Sequence, residues 1–163
     1  MDLLNQLEEF VKAVKNIQST GTIIRSQAPL LKHINDKPEI WSTMWKRQVQ
    51  LGIIPYYMFV ERDTGPKEYF SVSLSDAYEV YQKAIQNVSG LARTVRGPSM
   101  SATPGKVCVD GVTTINGEKV FVLKLLQARN SNAVNKPFFA KFDKEATWLS
   151  ELELLGDEDK LFL

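Results

Sequence analysis

The stretch RGPSMSATPGKV, residues 96–107, separates two parts of the chain that differ in sequence pattern. Before it, segments with apolar residues at helical spacing alternate with short runs rich in β-branched and aromatic residues. After it, two apolar runs flank Asn116-Gly117, a dipeptide typical of hairpin turns. The stretch itself combines glycine, proline and small hydroxyl residues with Lys106 and predicts a flexible loop. We therefore expect one domain in two parts, residues 1–90 and 91–163.

The first part of the chain alternates helices with strands. The pattern predicts helices over 2–19, 36–52 and 74–88, and strands over 22–27 and 53–60. Asp36 and Glu39 have the spacing of a capping box at the start of the second helix. This order of elements predicts an α/β domain in which the strands are parallel and the crossover is right-handed.

The second part of the chain predicts antiparallel structure. We expect a hairpin from 107–115 and 119–126, a further strand over 137–143, and a short terminal helix over 144–154 capped by Asp143. Two parallel strands alone would leave open sheet edges, which proteins avoid. Either the hairpin closes the sheet locally, or the chain is part of something larger.

Composition excludes several classes of protein. The chain has 163 residues, a formal net charge of +1 and 44% apolar residues, so no strong field attracts nucleic acid or an anionic membrane. No stretch is apolar enough to span a bilayer, and the acidic N-terminus does not resemble a secretory signal. One cysteine, Cys108, excludes an intramolecular disulfide and a cysteine-only metal site. We expect a soluble, cytoplasmic protein without a metal site.

The loop lysine allows two interpretations. A phosphate-binding motif of the form G-x-x-x-x-G-K-S/T fails, because Met100 stands at the first glycine position and Val107 follows the lysine. Lys106 is instead a candidate for an imine with a carbonyl cofactor such as pyridoxal phosphate, with Arg93 and Arg96 available for a phosphate or carboxylate. On the pattern alone, a surface loop with a solvated lysine is the simpler interpretation.

Three motifs in order carry a resemblance to a known family. RSQAPLLKHIND (25–36), LGIIPYYMFV (51–60) and SGLARTVRGPSMSATPGKV (89–107) resemble lysine 2,3-aminomutase-type radical S-adenosylmethionine enzymes, in a divergent branch. The likeness covers about residues 17–127. It implies the C-terminal portion of a partial (β/α) barrel with the active site inside, followed here by the β-hairpin and the short terminal helix.

The resemblance also implies roles for individual residues. Lys106 falls on the lysine that forms an imine with pyridoxal phosphate, and Gln27 falls on a glutamine at the S-adenosylmethionine site. Phe59 stands where the family has a tyrosine between the two cofactors. Arg93 and Arg96 are the candidates for holding a phosphate or carboxylate.

Two substrate positions depart from the family pattern. Lysine-acting members hold the distal amine with two acids, and these positions fall on Arg62, with Asp63 adjacent, and on Ser99. Loss of at least one acid removes charge pairing for an ammonium group. The sequence therefore argues against a lysine substrate, with Asp63 and Ser99 as candidate substrate contacts.

The iron–sulfur cluster of the family has no ligands in this chain. Members ligate a 4Fe–4S cluster with C-x-x-x-C-x-x-C, and one cysteine cannot hold it. We expect a truncated, C-terminal part of an aminomutase that is inactive alone. The expected partner is an N-terminal barrel half on another polypeptide, as in a split enzyme, or a second copy of the chain. The alternative function is a non-catalytic remnant that serves as a binding or interaction module.

Overall fold

The computed structural model describes residues 3–62 and 66–156 and shows a mixed α/β fold. Its strands form one open seven-stranded sheet whose spatial order follows the sequence. The helices are α1 (Leu3–Ser19), α2 (Pro38–Gln50), α3 (Lys67–Phe70) and α4 (Leu74–Gln86). The strands are β1 (Arg25–Leu30), β2 (Ile54–Val60), β3 (Arg96–Ala102), β4 (Gly105–Ile115), β5 (Glu118–Ala128), β6 (Pro137–Lys141) and β7 (Leu154–Leu155).

The sheet changes character at β3. Strands β1, β2 and β3 are parallel, whereas each later strand pairs antiparallel with the one before it. The predictions of an α/β fold, of parallel strands after helical crossovers and of a hairpin around Asn116-Gly117 are confirmed. Asn116 and Gly117 both have positive φ, as a tight hairpin turn requires.

The predicted loop over 96–107 is wrong, because most of it is strand β3. This strand pairs with β2 on one side and β4 on the other, and residues 97–100 are buried. Its glycine, proline and serine residues do not resemble a strand. Pairing on both sides satisfies the backbone, and this tertiary context overrides the local preference.

Two glycines allow the neighbouring backbones to approach closely at this strand. A Cβ on Gly97 would lie 2.3 Å from the carbonyl oxygen of Met58, and a Cβ on Gly105 would lie 2.0 Å from that of Gln127. Both glycines have φ near +145°, at +143° and +146°. No other residue fits these positions without strain, so Gly105 fixes the start of β4 next to Lys106.

The predicted terminal helix over 144–154 is wrong. Asp143 accepts a hydrogen bond from the Glu145 amide in a local turn, and only Leu149–Glu151 forms a single helical turn. The segment lies against the sheet through buried Ala146 and Leu149 and ends in β7, which pairs with β6. Burial against the sheet therefore decides its conformation.

Two further boundaries differ from the prediction. Strand β1 begins at Arg25 and ends at Leu30, three residues later than expected. Helix α2 has Lys37 at its N-cap without a side-chain cap, so the Asp36 capping box is wrong. The Asp36 carboxylate instead accepts from the His33 amide at 2.9 Å, because the left-handed backbone of His33 forms a turn there.

Apolar side chains form two core clusters. One lies between the first strands and helices α2 and α4, and includes fully buried Trp41 and Trp45. The other lies along the antiparallel strands, with Phe121 and Phe138 completely buried. Within the described ranges, no helix is both long enough and apolar enough to cross a membrane.

Candidate functional site

The three parallel strands end at a common edge, where a cavity of about 450 Å³ opens. Pro29 of β1, Phe59 of β2 and Ser101 of β3 line it, together with Glu61 and Arg62 just beyond β2. Parallel α/β folds place ligands at the carboxyl ends of their strands, because the connecting loops there are free to carry side chains. The cavity is therefore the natural place for a site in this fold.

Lys106 lies beside this cavity. A two-residue turn after β3 reverses the chain, so Lys106 pairs with cavity-lining Ser101 across β3 and β4. The Lys106 Nζ lies 4.2 Å from the ring centroid of Tyr57 and 5.2 Å from that of Phe59. The amine is partly buried on an aromatic surface, as a cation attracted to the faces of the two rings.

A β-bulge builds this aromatic surface. Ser26 pairs with Pro55 and Gln27 pairs with Tyr57, so Tyr56 is an extra residue in β2. Such a bulge interrupts the alternation of side chains, and the rings of Tyr56 and Tyr57 lie 4.3 Å apart. Tyr57 also stacks on Phe59, with centroids 5.2 Å apart and planes 19° apart. The rings of Tyr56, Tyr57 and Phe59 thus form one continuous surface.

Two arginines extend the surface with positive charge. The guanidinium carbons of Arg25 and Arg96 lie 5.1 and 5.7 Å from the ring centroid of Tyr56. In the part of the chain that the structure describes, no carboxylate pairs with Arg25, Arg96 or Lys106. We call this surface the cationic aromatic face; it consists of Arg25, Tyr56, Tyr57, Phe59, Arg96 and Lys106.

The hydroxyl group of Tyr57 is the unusual polar atom of the face. Tyr57 is only 2% exposed, and no described residue meets its hydroxyl oxygen with the geometry of a hydrogen bond. Burial raises the pKa of this phenol, and the nearby Tyr56 phenol adds to the rise while Arg96 opposes it. Conversely, Tyr57, Arg96 and Arg25 lower the pKa of Tyr56. The two phenols are therefore electrostatically linked to each other and to the arginines.

The structure brings together three of the residues that the sequence singled out. Lys106, Phe59 and Arg96 belong to the cationic aromatic face. Gln27 lies next to it, exposed on the edge strand β1 and paired in register with Tyr57. These four positions approach one another although they are spread over 80 residues of sequence.

The other candidates lie elsewhere. Arg93 is exposed after a short helical turn and donates from Nε to the Val88 carbonyl at 3.1 Å. Ser99 is fully buried and donates to the Met58 carbonyl at 3.3 Å, so a substrate contact would have to replace this bond. Asp63 lies outside the described residues. Their roles stay predictions.

The sequence pattern did not single out Arg25, Tyr56 or Tyr57. Arg25 lay in one predicted strand, over 22–27, and the two tyrosines lay in the other, over 53–60. The β-bulge that brings the adjacent Tyr56 and Tyr57 rings to one surface is not predicted by any local sequence pattern in β2. An adjacent pair of tyrosines before a candidate lysine is the only hint in the sequence.

The face combines an amine, guanidiniums and a phenol, and this donor set suits a ligand with a carbonyl group and an anionic group. It does not suit a metal ion, and no cluster of three or more His, Cys, Asp or Glu side chains occurs among the described residues.

A putative L-lysine 2,3-aminomutase of Aquifex aeolicus (strain VF5) is 32% identical over 153 residues. That alignment covers 94% of this chain and 40% of that protein.

The chain is related to the lysine 2,3-aminomutases. The L-lysine 2,3-aminomutases of Haemophilus influenzae and Escherichia coli are 26% and 27% identical over 99 and 106 residues. The chain spans between 29% and 40% of the length of these aminomutases. No protein-family model matches it. The aminomutase resemblance carried by the sequence motifs is thus confirmed for a part of the relatives' length.

Proposed function

We propose that this chain binds pyridoxal phosphate through Lys106 and takes part in an aminomutase-type reaction, in which an amino group moves between adjacent carbons of an amino acid. The observation that carries the proposal is the position of the Lys106 Nζ, 4.2 Å from the Tyr57 ring centroid beside the strand-end cavity. Relatives named L-lysine 2,3-aminomutase support the type of reaction.

The residues of the cationic aromatic face fit this cofactor. Lys106 offers an amine to the aldehyde, the stacked rings of Tyr57 and Phe59 offer a flat apolar surface, and guanidiniums bind phosphate through forked hydrogen bonds. When bound, pyridoxal phosphate supplies a conjugated ring that stabilises a reactive centre beside the amino group.

Lys106 provides the covalent attachment in this proposal. Its Nζ would be the amine that holds the aldehyde group of the cofactor. The Tyr57 and Phe59 rings hold the amine on one side and exclude water from that side. Gly105 keeps the start of β4 close to β5, so the lysine backbone is fixed where the side chain begins.

The chain does not fit an iron–sulfur cluster. Cys108 is buried, and burial raises the pKa of its thiol to about 12, whereas a thiolate is the form that ligates iron. Radical cleavage of S-adenosylmethionine would need a cluster from outside residues 1–163, with Gln27 beside the cofactor. The substrate in this proposal lacks a distal ammonium group, because Ser99 stands at one acidic position of lysine-acting members and Arg62, with Asp63 adjacent, stands at the other.

The parallel strands support a partial (β/α) barrel as the wider architecture. Strand β1 pairs with β2 alone among the described strands, so its other edge can accept a further strand. This further strand would come from an N-terminal barrel half on another polypeptide or from a second copy of this chain. Without such a partner, the single cysteine favours a second candidate function, a module that holds pyridoxal phosphate without turnover.

A spectroscopic titration tests the cofactor site. Pyridoxal phosphate is added to the full chain and to the variants Lys106→Ala and Lys119→Ala, and absorbance of the bound cofactor is followed. Lys119 is a matched control, because its Nζ also lies over an aromatic ring, that of Phe142, at 3.8 Å. We expect the bound-cofactor absorbance to disappear only in Lys106→Ala. Equal spectra for all three proteins would contradict the proposal.

A further inference from the structure

We infer that the apolar end of residues 157–163, Leu161-Phe162-Leu163, docks in a groove of the same chain. The groove has a volume of about 340 Å³. The β3–β4 turn forms one wall and the segment that leads into β7 forms the other; the lining residues are Ala102, Thr103, Pro104, Trp148, Leu149, Ser150, Leu152 and Leu154. The inference is independent of the proposed function, because it involves neither pyridoxal phosphate nor a reaction.

The first argument is the apolar character of the groove. Leu149 and Leu152 are nearly buried, at 8% and 9% exposure, whereas Trp148 and Leu154 are only partly buried. None of the described lining residues is charged. Neighbouring large apolar side chains that remain partly exposed mark a surface that another apolar group covers. An apolar segment therefore suits this groove better than a charged ligand does.

The second argument is the sequence that follows Gly156. Residues 157–160 are Asp-Glu-Asp-Lys, and residues 161–163 are Leu-Phe-Leu. Charged side chains favour water, whereas burial of large apolar side chains is favourable by about 1.5–3 kcal/mol each. The segment thus has an apolar end that gains from a surface such as the groove and a charged portion that gains from remaining in solvent.

The third argument is reach. Leu154 lines the groove and lies two residues before Gly156, the last of the described residues. A chain spans at most about 3.6 Å per residue, so Leu161 lies within roughly 18 Å of Gly156. Gly156 has a φ of +89°, which is typical of a glycine at which the chain turns. The segment is therefore long enough to turn at Gly156 and place its apolar end in the groove of its own chain.

The docked segment would contact the turn that leads to the candidate site. Thr103 and Pro104 connect β3 to β4, and Lys106 follows two residues after Pro104. Exposed turns open more readily than covered ones, because few buried contacts hold them. A segment in the groove would therefore restrain the turn from which Lys106 extends.

Fluorescence quenching by acrylamide measures how well Trp148 is covered. Trp41 and Trp45, the other two tryptophans of the chain, are 0% and 1% exposed, so acrylamide reaches mainly Trp148. The variant Trp148→Phe checks this assignment, because it should abolish most of the quenching. Continued protection of the other two tryptophans shows that a variant is folded.

The full chain is compared with a variant that ends at Gly156 and with Phe162→Ser. The matched control is Glu158→Ser, which changes the charged portion of the same segment. We expect the quenching constant to rise about twofold in the shortened chain and in Phe162→Ser, because Trp148 loses its apolar cover, and to stay unchanged in Glu158→Ser. Equal quenching constants in the full chain, the shortened chain and Phe162→Ser would overturn the inference.

Protein concentration distinguishes docking within one chain from docking between two copies. We expect the quenching constant of the full chain to be independent of concentration, since the segment and the groove belong to one molecule. A quenching constant that falls as the concentration rises would place the segment in the groove of a second copy and would also overturn the inference.

Hydrogen exchange locates the contact. In Phe162→Ser, we expect the backbone amides of residues 102–105 and 148–155 to exchange about tenfold faster than in the full chain, and those of α4 to be unchanged. Equal acceleration in α4 would indicate general destabilisation instead of the loss of a docked segment, and that result would contradict the inference.

Discussion

The parallel strands β1–β3 and the antiparallel strands β4–β7 differ in what they bury. In the antiparallel region, Phe121, Leu123 and Phe138 are completely buried in a continuous core. In the parallel region, helices cover one cluster, while Arg25 and Gln27 remain exposed on β1. Both regions therefore have a buried core, but the parallel region also presents polar and aromatic groups on its surface. Strand β3 pairs with both regions and joins them.

The largest expected effect tests the stabilising role of the antiparallel region. Phe121→Ala removes a fully buried ring and should lower the free energy of unfolding by about 3–5 kcal/mol. The matched variant Phe59→Ala removes a partly buried ring on the cationic aromatic face and should cost roughly half as much. Urea unfolding measures both. A larger loss in Phe59→Ala would reverse the comparison between the regions.

The second prediction concerns the junction of the two regions. Gly105→Ala forces a Cβ against the Gln127 carbonyl at a φ of +146° and should cost about 2–4 kcal/mol. Gly90→Ala is the control, because nothing lies within 4 Å of its Cβ position, and it should change stability by less than about 0.5 kcal/mol. Similar denaturation midpoints for the two variants would show that β4 does not need this close approach.

These same positions show why the sequence predicted some elements and not others. The hairpin at Asn116-Gly117 and helix α4 were predictable, because turn chemistry and apolar spacing are local. Strand β3 was not predictable, because its conformation depends on β2 and β4 pairing on either side of it. The segment after Asp143 resembled a helix by spacing, but burial against the sheet determines its path.

The candidate site was predictable only in part. Lys106, Arg96 and Phe59 were singled out from motifs, and the structure brings them to one surface. Arg25 and Tyr57 could not be predicted, because they join the face through the register of β1 and β2 and through a bulge. These are relations between strands, and a single sequence does not encode them in a local pattern.

The third prediction concerns the pH dependence of the free energy of unfolding that arises from Cys108, which lies in β4 where the two regions meet. Burial raises the pKa of Cys108 in β4 to about 12, so the folded chain keeps the thiol protonated while the unfolded chain ionises near its ordinary value of about 8.5. The contribution of Cys108 to the free energy of unfolding should thus be constant below about pH 8.5 and fall by up to about 1.4 kcal/mol per pH unit above it.

The variant Cys108→Ala and a comparison with Tyr81 separate the contribution of Cys108 to the alkaline loss of stability from that of other groups. Cys108→Ala should remove the decline between about pH 8.5 and 10. Burial also raises the pKa of Tyr81 to about 12, but an unfolded tyrosine ionises only near pH 10, so its contribution begins later. An unchanged slope in Cys108→Ala would assign the alkaline decline to other groups.

The smallest expected effect compares two tyrosine hydroxyls. Tyr57→Phe removes a buried hydroxyl that lacks a partner and should raise the free energy of unfolding by about 1 kcal/mol. Tyr81→Phe removes a hydroxyl that donates to the Val95 carbonyl at 3.1 Å and should lower it by about 1 kcal/mol. Thermal and denaturant unfolding measure both. Effects of the same sign would mean that the Tyr57 hydroxyl is already satisfied in the folded chain.

The site of covalent attachment tests the central claim most directly. The full chain is incubated with pyridoxal phosphate, reduced with borohydride and digested, and the modified lysines are quantified by mass spectrometry. Because the Lys106 amine lies on the Tyr57 and Phe59 rings beside the cavity, we predict that Lys106 carries most of the label at low cofactor concentration. Label spread evenly over exposed lysines such as Lys119 and Lys141, with no preference for Lys106, would contradict the account.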